Sequence, residues 1–414
     1  MSTAQVIARL LPALETPRRP VPDTAEAAVQ DPIAIAKAVA AQLAQTAVER
    51  DRAGGHPAAE RGLLRNSGLL WLSIPTEFGG PGHDWATVYQ VVRILAGADS
   101  ALAHLYGFHH LQLAGVLLYG TAEQQQRYLR ATLEQKWFWG NALNPLDKRT
   151  VAEAEGEHWR IDGQKSFSSG SVGSDVLTFS AWHEESGTAL IAAIPTTRKG
   201  VTVHADWDAF GQKQTDSGTV SFAGVELRAE EVLQAPAVAA TPRATLRSCV
   251  AQLVMTNLYL GIAEGAYESA LRYTRDEARA WFASGVPRSA DDPFIQRRYG
   301  ELRVKVRAAA ALADEAARRL DAAFRKGAAL TAADRGEVAV AIADAKVLAH
   351  EASLTVSSDL FDILGARATS QRYGFDRYWR NARTHTLHDP IDYKLRDLGR
   401  YAIDGRHPDP TPYS

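Results

Sequence analysis

The sequence predicts an α+β protein in three zones: helical, then β, then helical again. Three observations carry this. Apolar residues recur at helical spacing up to about residue 145. Short runs rich in β-branched and aromatic residues, with no helices between them, fill about 146–235. Helical spacing then returns over much longer stretches. At 414 residues the chain exceeds one comfortable core, so two or three packed units are expected.

Residues 1–30 read as a flexible or surface-draped lead-in, Pro-rich at "PALETPRRPVPDTAE" (12–26). The N-terminal helical domain, 31–145, opens with Asp31 as an N-cap and Pro32 at the first helical position. Gly54 and Gly55 stop that helix. "SIPTEFGGPGHD" (73–84) is a loop, after which Asp84 can cap "WATVYQVVRILAGA". Thr121, with Gln124 three residues on, makes a capping box for "AEQQQRYLRATLEQ".

In the central zone, 146–235, "HWRIDGQKSFSSG", "DVLTFSAWH", "TALIAAIPTT", "GVTVHADW" and "GTVSFAGVEL" read as strands separated by Gly and charged turns. Five or six strands in succession suggest an antiparallel barrel or sandwich. The last zone, 236–414, holds three long helical patterns at 245–281, 292–327 and 331–365. Helices of that length pack as an antiparallel bundle, often with an oligomer interface.

Composition narrows the function. Lys plus Arg (46) nearly balances Asp plus Glu (48), so there is no basic field for nucleic acid. A single cysteine, Cys249, excludes an intramolecular disulfide and a Cys-based zinc cluster, and fits a reducing cytoplasm. No apolar run is long enough to span a membrane, and no signal-peptide pattern is present, so a soluble cytoplasmic protein is expected. Neither G-x-G-x-x-G nor G-x-x-x-x-G-K-[ST] occurs. "SSGSVGSD" (168–175) lacks nucleophile-elbow spacing and lies within the β zone.

"RTHTLHDP" (383–390) is the most distinctive short stretch, placing His385 and His388 three apart with Asp389 following. The residues alone leave acid/base catalysis and solvated surface side chains both open. A metal would need further converging ligands, and no other cluster supplies them.

The zone order and several phrases resemble the acyl-CoA dehydrogenase superfamily: "GLLWLSIPTEFGGPG" (68–82), "IDGQKSFSSG" (161–170) and "FGQKQTDSGTVSFAGVEL" (210–227). Together and in order they cover nearly the whole chain from about residue 31. The resemblance implies a helical domain, a central antiparallel β-barrel and a C-terminal four-helix bundle. "ERDRAGG" (49–55), "WDAFGQKQTDSG" (207–218), "NLYLGIAEGA" (257–266) and above all "RYGFDRYWRNARTHTLHDP" (372–390) are similar to a flavin-dependent monooxygenase subgroup, that of the dibenzothiophene monooxygenases. Members use reduced FMN from a separate NAD(P)H:flavin reductase, and O2, to convert a sulfide to sulfoxide and sulfone through a flavin C4a-hydroperoxide. "HTLHDP" stands where most dehydrogenases of the superfamily place their glutamate base, which counts against α,β-dehydrogenation.

The resemblance assigns roles residue by residue. His104 and His388 match the two active-site histidines, Ser169 a serine beside flavin N5, and Asn141 a residue bonding near the flavin and its oxygen adduct. Lys165 and Trp207 match positions near the flavin, and Arg279 the flavin-phosphate arginine. His385 is placed at the cofactor, as substrate pocket or behind it. Arg367 falls where FAD-binding relatives have a Gly-rich phrase, which favours FMN and would serve a neighbouring subunit's flavin in a homotetramer. The alternatives for either arginine are a helix-end cap or a surface ion pair. Phe108 stands where the dibenzothiophene enzymes carry Tyr, so one hydroxyl is absent from an aromatic pocket wall. Alkyl sulfones, indole and FAD-dependent dehydrogenation remain the alternatives for the activity.

Overall fold

A computed structural model describes residues 31–233 and 241–414. The expected lead-in, 1–30, and the expected boundary at 235–236 lie outside the described residues. Helix α1 (Pro32–Ala53) begins at its proline and stops at Gly54 and Gly55, whose positive φ angles only glycine adopts readily. After α2 (Ala58–Asn66), Asp84 caps α3 (Trp85–Ala98) by accepting from Thr87 N at 2.9 Å. Asp99 caps α4 (Ser100–Tyr119), and the expected Thr121–Gln124 capping box opens α5 (Ala122–Gln135).

Among the described residues the sheet has seven strands: β1 (Trp139–Ala142), β2 (Val151–Glu155), β3 (His158–Lys165), β4 (Val176–His183), β5 (Thr188–Pro195), β6 (Val201–Val203) and β7 (Val220–Arg228). The expectation of an antiparallel sheet is corrected here, because the sheet is mixed. β1 and β2 lie along the same edge of β4 and both run parallel to it, pairing Trp139 with Val176 and Val151 with Trp182. The other edge of β4 pairs antiparallel with β5, and β3 pairs antiparallel with β2 and β7. The sheet curls, and no pairing closes it into a barrel among the described residues. β1, "WGNA", has no β-branched residue and β2, "VAEAE", is mostly exposed, so neither carries a strand signature.

The C-terminal part is built on α6 (Leu246–Asp276), α7 (Pro293–Lys326) and α8 (Ala332–Leu364). The shorter α9 (Asp376–Thr386) and α10 (Ile391–Asp404) pack on α8. This part is helical as expected, but α3 also packs on α6, so the first and last helices share one apolar core. Val88 and Val92 of α3, Leu102 and Tyr106 of α4, and Leu253 and Leu258 of α6 are all fully buried in it. A second core packs on the sheet around Phe179 and Phe222. A third, with Leu113 of α4, Trp139 of β1 and Val176 of β4, seats α4 on the sheet edge.

The α3–α6 crossing is close because it is lined by glycine. A Cβ on Gly265 would stand 2.2 Å from Gly97 O, and one on Gly261 2.5 Å from Arg93 O. Both contacts are backbone and cannot yield as a flexible side chain would. Gly265→Val should therefore cost about 2–3 kcal/mol through overpacking and lower the calorimetric melting midpoint. Gly300→Ala on α7, whose Cβ would meet nothing within 4 Å, should leave the midpoint unchanged or raise it.

Candidate active site

Two helices supply the histidines. On α4, Ser100, His104 and Phe108 recur at four-residue spacing and so share a face. Asp99 fixes where that face begins, accepting from Ala101 N and Leu102 N while also holding Arg50. On α9, Asn381 and His385 share a face in the same way, and His388 follows the helix end. The Tyr259 hydroxyl of α6 donates to His385 O at 3.0 Å, anchoring that end. The two faces meet, with the His104 ring stacked on Phe108 (centroids 3.9 Å apart) and 4.8 Å from His385.

The sheet closes the other side through two connections. Ser169 and Gly170 sit in the turn after β3, and a Cβ on Gly170 would lie 3.3 Å from Leu105 of α4. Asn141 N of β1 donates to Ser169 O at 2.9 Å, so the strand and the turn form one ledge. Ser169 Oγ pairs with Ser217 Oγ at 2.9 Å, and Ser217 Oγ with Thr215 Oγ1 at 2.8 Å. Thr215 Oγ1 in turn donates to Gln212 O.

Gln212 is where these strands of contact converge. Its backbone N donates to Asn381 Oδ1 at 2.6 Å, and its side-chain Nε2 donates to Ser100 Oγ at 3.0 Å. The Trp207 indole donates to its carbonyl at 2.9 Å. Gln212 is buried with φ +54°, a left-handed conformation uncommon outside glycine and held here by these bonds. Next to it, Gly211 is pressed against Arg380 O, where any Cβ would clash at 2.2 Å. Asp216 further secures the loop, accepting from Arg61 Nη1 at 2.9 Å and pairing with His56 Nδ1 at 2.8 Å.

His104, Phe108, His385 and His388 are thus brought together, with Asn141 and Ser169 on the facing ledge and Trp207 tied in through Gln212. Lys165 is differently engaged. Its ammonium is buried and donates to Asn144 O (3.0 Å) and Asp147 O (2.5 Å), securing the loop after β1, and burial pulls its pKa down to about 8. Arg279 lies beyond the end of α6, not on it, and Arg367 lies in a short turn of helix at Ala366–Thr369. Both are exposed, and no hydrogen bond or ion pair ties either to the cluster. Sequence reasoning did not single out Gln212, Ser217, Asn381, Lys346 or Gln252. Asp389 is visible in sequence only as the neighbour of His388, and partners as distant as Lys346 and Gln252 leave no local signal.

Lys346 of α8 donates to Asp389 Oδ1 and to Gln252 Oε1, each at 2.5 Å. The same Asp389 oxygen faces His388 Nδ1 at 3.2 Å. Burial alone would raise the Asp389 pKa, but His388 and Lys346 hold it well below the usual carboxylate range. Burial also pulls Lys346 down to about 8. Among the described residues no group of His, Cys, Asp and Glu has the arrangement to hold a metal.

Both helix-borne histidines are neutral at physiological pH. Burial, then the neighbouring His385 and His388, pushes His104 well below its ordinary value. Burial, then His388 and Lys346, pushes His385 down to about 3. Both ring nitrogens of His104, Nε2 of His385 and Oδ1 of Asn141 are buried without a protein partner. Unmade hydrogen bonds of this kind carry a desolvation penalty, and four of them around one cleft fit a polar, planar ligand with several donors and acceptors. An isoalloxazine ring has that character.

These depressed values have a sign. The unfolded chain protonates both imidazoles below about pH 6.5, whereas the folded chain does not until far lower. Stability is therefore full above pH 6.5 and falls as the pH drops from there toward 3. The melting midpoint of the protein should fall between pH 7 and pH 5, and His385→Gln should flatten that part of the profile.

Three family models match the chain: acyl-CoA dehydrogenase N-terminal domain at residues 28–136, middle domain at 140–225 and C-terminal domain at 253–393. The chain is 49% identical over 383 residues to the probable FMNH2-dependent monooxygenase SfnC of Pseudomonas putida, covering 92% of this chain and 97% of that one. It is 44% identical over 400 residues to dibenzothiophene monooxygenase of Rhodococcus qingshengii, covering 93% and 96%. Among solved structures, methanesulfinate monooxygenase MsuC of Pseudomonas fluorescens aligns with TM-score 0.90 at 48% identity, covering 92% of this chain and 99% of that one. FMN-bound TdsC of Paenibacillus sp. A11-2 aligns with TM-score 0.90 at 39% identity, covering 92% and 100%. By its matched domains, its fold and these relatives, the chain belongs to the acyl-CoA dehydrogenase family.

Proposed function

We propose that the protein is a two-component, reduced-FMN-dependent monooxygenase that oxygenates the sulfur of an aromatic organosulfur compound, with dibenzothiophene, taken through sulfoxide to sulfone, as the type substrate. The observation that carries this is the cleft itself. Three histidines converge there, two of them, His104 and His385, with unpartnered buried nitrogens, and the carboxylate beside them, Asp389, is committed to Lys346. A dehydrogenase of this family needs a free carboxylate base at the reacting carbon, and among the described residues the cleft offers none. The FMN-bound and FMNH2-dependent relatives point the same way.

Asn141, Ser169, Trp207 and His385 would hold the flavin ring along the sheet ledge, with Lys165 supporting the ledge from behind. Arg279 and Arg367, exposed and without ion pairs among the described residues, suit the phosphate and would act across subunits of a homotetramer. Reduced FMN supplies the two electrons that activate O2. Phe108, stacked on His104, offers an aromatic wall to the substrate and excludes water. Neutral His104 can donate one hydrogen bond and accept another without adding charge to the cleft. His388, with its side chain 43% exposed, can exchange protons with solvent and deliver one to the oxygen atom that leaves as water. A separate flavin reductase is the implied partner, since the chain lacks a dinucleotide fingerprint. Among the described residues no helix is long and apolar enough to cross a membrane, and with the single buried cysteine we place the protein in the cytoplasm.

A second reading, oxygenation of a small alkyl sulfur oxyacid, is favoured by the 48% identity to methanesulfinate monooxygenase. Assaying both substrates with photoreduced FMN and oxygen separates the two. In that assay His388→Ala should lower product formation by roughly 100-fold or more while reduced FMN still binds; undiminished yield would remove His388 from the chemistry. Sedimentation velocity should show a tetramer, and a monomer would leave Arg367 without a flavin to serve.

A further inference from the structure

We propose that Asp389, clamped by Lys346, is the positioning residue that holds His388 as its Nδ1–H form and leaves Nε2 as the only nitrogen that can face the reacting centre. The inference rests on the monooxygenase reading for its functional meaning, but its geometry stands alone.

An ionised carboxylate only accepts hydrogen bonds, so a ring nitrogen 3.2 Å from Asp389 Oδ1 must carry the proton between them. A neutral imidazole in water favours the opposite form, with the proton on Nε2. The chain therefore selects the minor form. In it, Nε2 accepts a proton when the ring is neutral and donates one when the ring is charged, as a proton-delivering group requires.

The ring needs such a holder. With 43% of its side chain exposed, His388 is not fixed by burial. Asp389, by contrast, is anchored from three directions. Lys346 of α8 holds its oxygen, Gln252 of α6 holds Lys346, and Pro390 restricts the Asp389 backbone to extended conformations. Lys346 and Asp389 are nearly sealed from solvent, with side chains 1% and 8% exposed. A sealed ion pair is rarely the most stable filling for a bundle interior, so stability alone does not explain this one.

The charged and titratable groups around the ring set what the clamp does to its proton. His104 faces it from α4, His385 and Asp389 from the segment around the end of α9, and Tyr413 from the C-terminal segment, with ring centroids 5.6 Å apart. Lys346 and, from α10, Lys394 stand behind Asp389. Lys346 shares the carboxylate with His388 and so limits how strongly Asp389 can stabilise the imidazolium.

The test uses flavin-free full-length protein with 15N-labelled histidine and reads the two ring nitrogens of His388 by long-range proton–nitrogen correlation. In the wild type at alkaline pH, Nδ1 should be the protonated nitrogen and Nε2 the bare one. Asp389→Ala should return the ring to the solution mixture. A wild-type ring protonated on Nε2, or an Nδ1–H form that survives Asp389→Ala, would overturn the proposal. The wild-type spectrum alone decides the first point if a variant fails to fold. Product assays then separate the two claims. The predicted ring form with no sulfur oxygenation would sink the monooxygenase reading and leave the positioning intact. Oxygenation by Asp389→Ala at the wild-type rate and pH profile would sink the positioning.

Discussion

The junction at Gln212 is the constraint on which the site depends. The sheet and the helices have their main apolar cores apart and meet in a smaller one where α4 seats on the sheet edge, and hydrophobic packing is non-directional, so packing alone would not set the angle between them. Gln212 supplies the direction by bonding one way to Ser100 on α4 and another to Asn381 on α9. Each of those residues lies one helical turn before a site histidine. Any rotation of the sheet against the helices would have to break both bonds in a buried, low-dielectric setting. The left-handed backbone at Gln212 and the bare Cα of Gly211 against Arg380 are what let the loop approach closely enough.

Within that frame the histidines divide the work by burial. His104 and His385 are sealed in and stay neutral, so they add hydrogen-bonding capacity to the cleft without charge. His388 lies at the edge, open to solvent and beside an anion, where gaining and losing a proton is feasible. Residues of one type thus take different tasks because their dielectric surroundings differ.

Much of this was legible in sequence where the signal is local. The Asp84 cap, the Thr121–Gln124 box, the glycine stop at residues 54–55 and the three long helices needed only spacing and residue type. β1 and β2 were not legible, since one is short without β-branched residues and the other largely exposed. Their parallel placement on β4 is a tertiary fact, which is why an antiparallel sheet was the natural expectation. The motif resemblance pointed to His104, Asn141, Ser169 and His388; the histidines lie on and beside two meeting helices, while Asn141 and Ser169 share the sheet ledge packed against α4. It could not show that Lys165 spends its ammonium on two carbonyls, that Arg279 lies past its helix end, or that Gln212 and Lys346 hold the site from far away in the chain.

Transfer of an oxygen atom to sulfur is the chemistry that the histidine cleft is proposed to perform. The measurement that tests it most directly mixes the protein anaerobically with photoreduced FMN, adds 18O2 together with dibenzothiophene or methanesulfinate, and weighs the products. The expected result is a sulfur product carrying the heavy isotope from molecular oxygen and dependent on reduced FMN. Unlabelled sulfur compounds, together with tightly bound FAD that an acyl-CoA bleaches, would contradict it and return the chain to dehydrogenase chemistry.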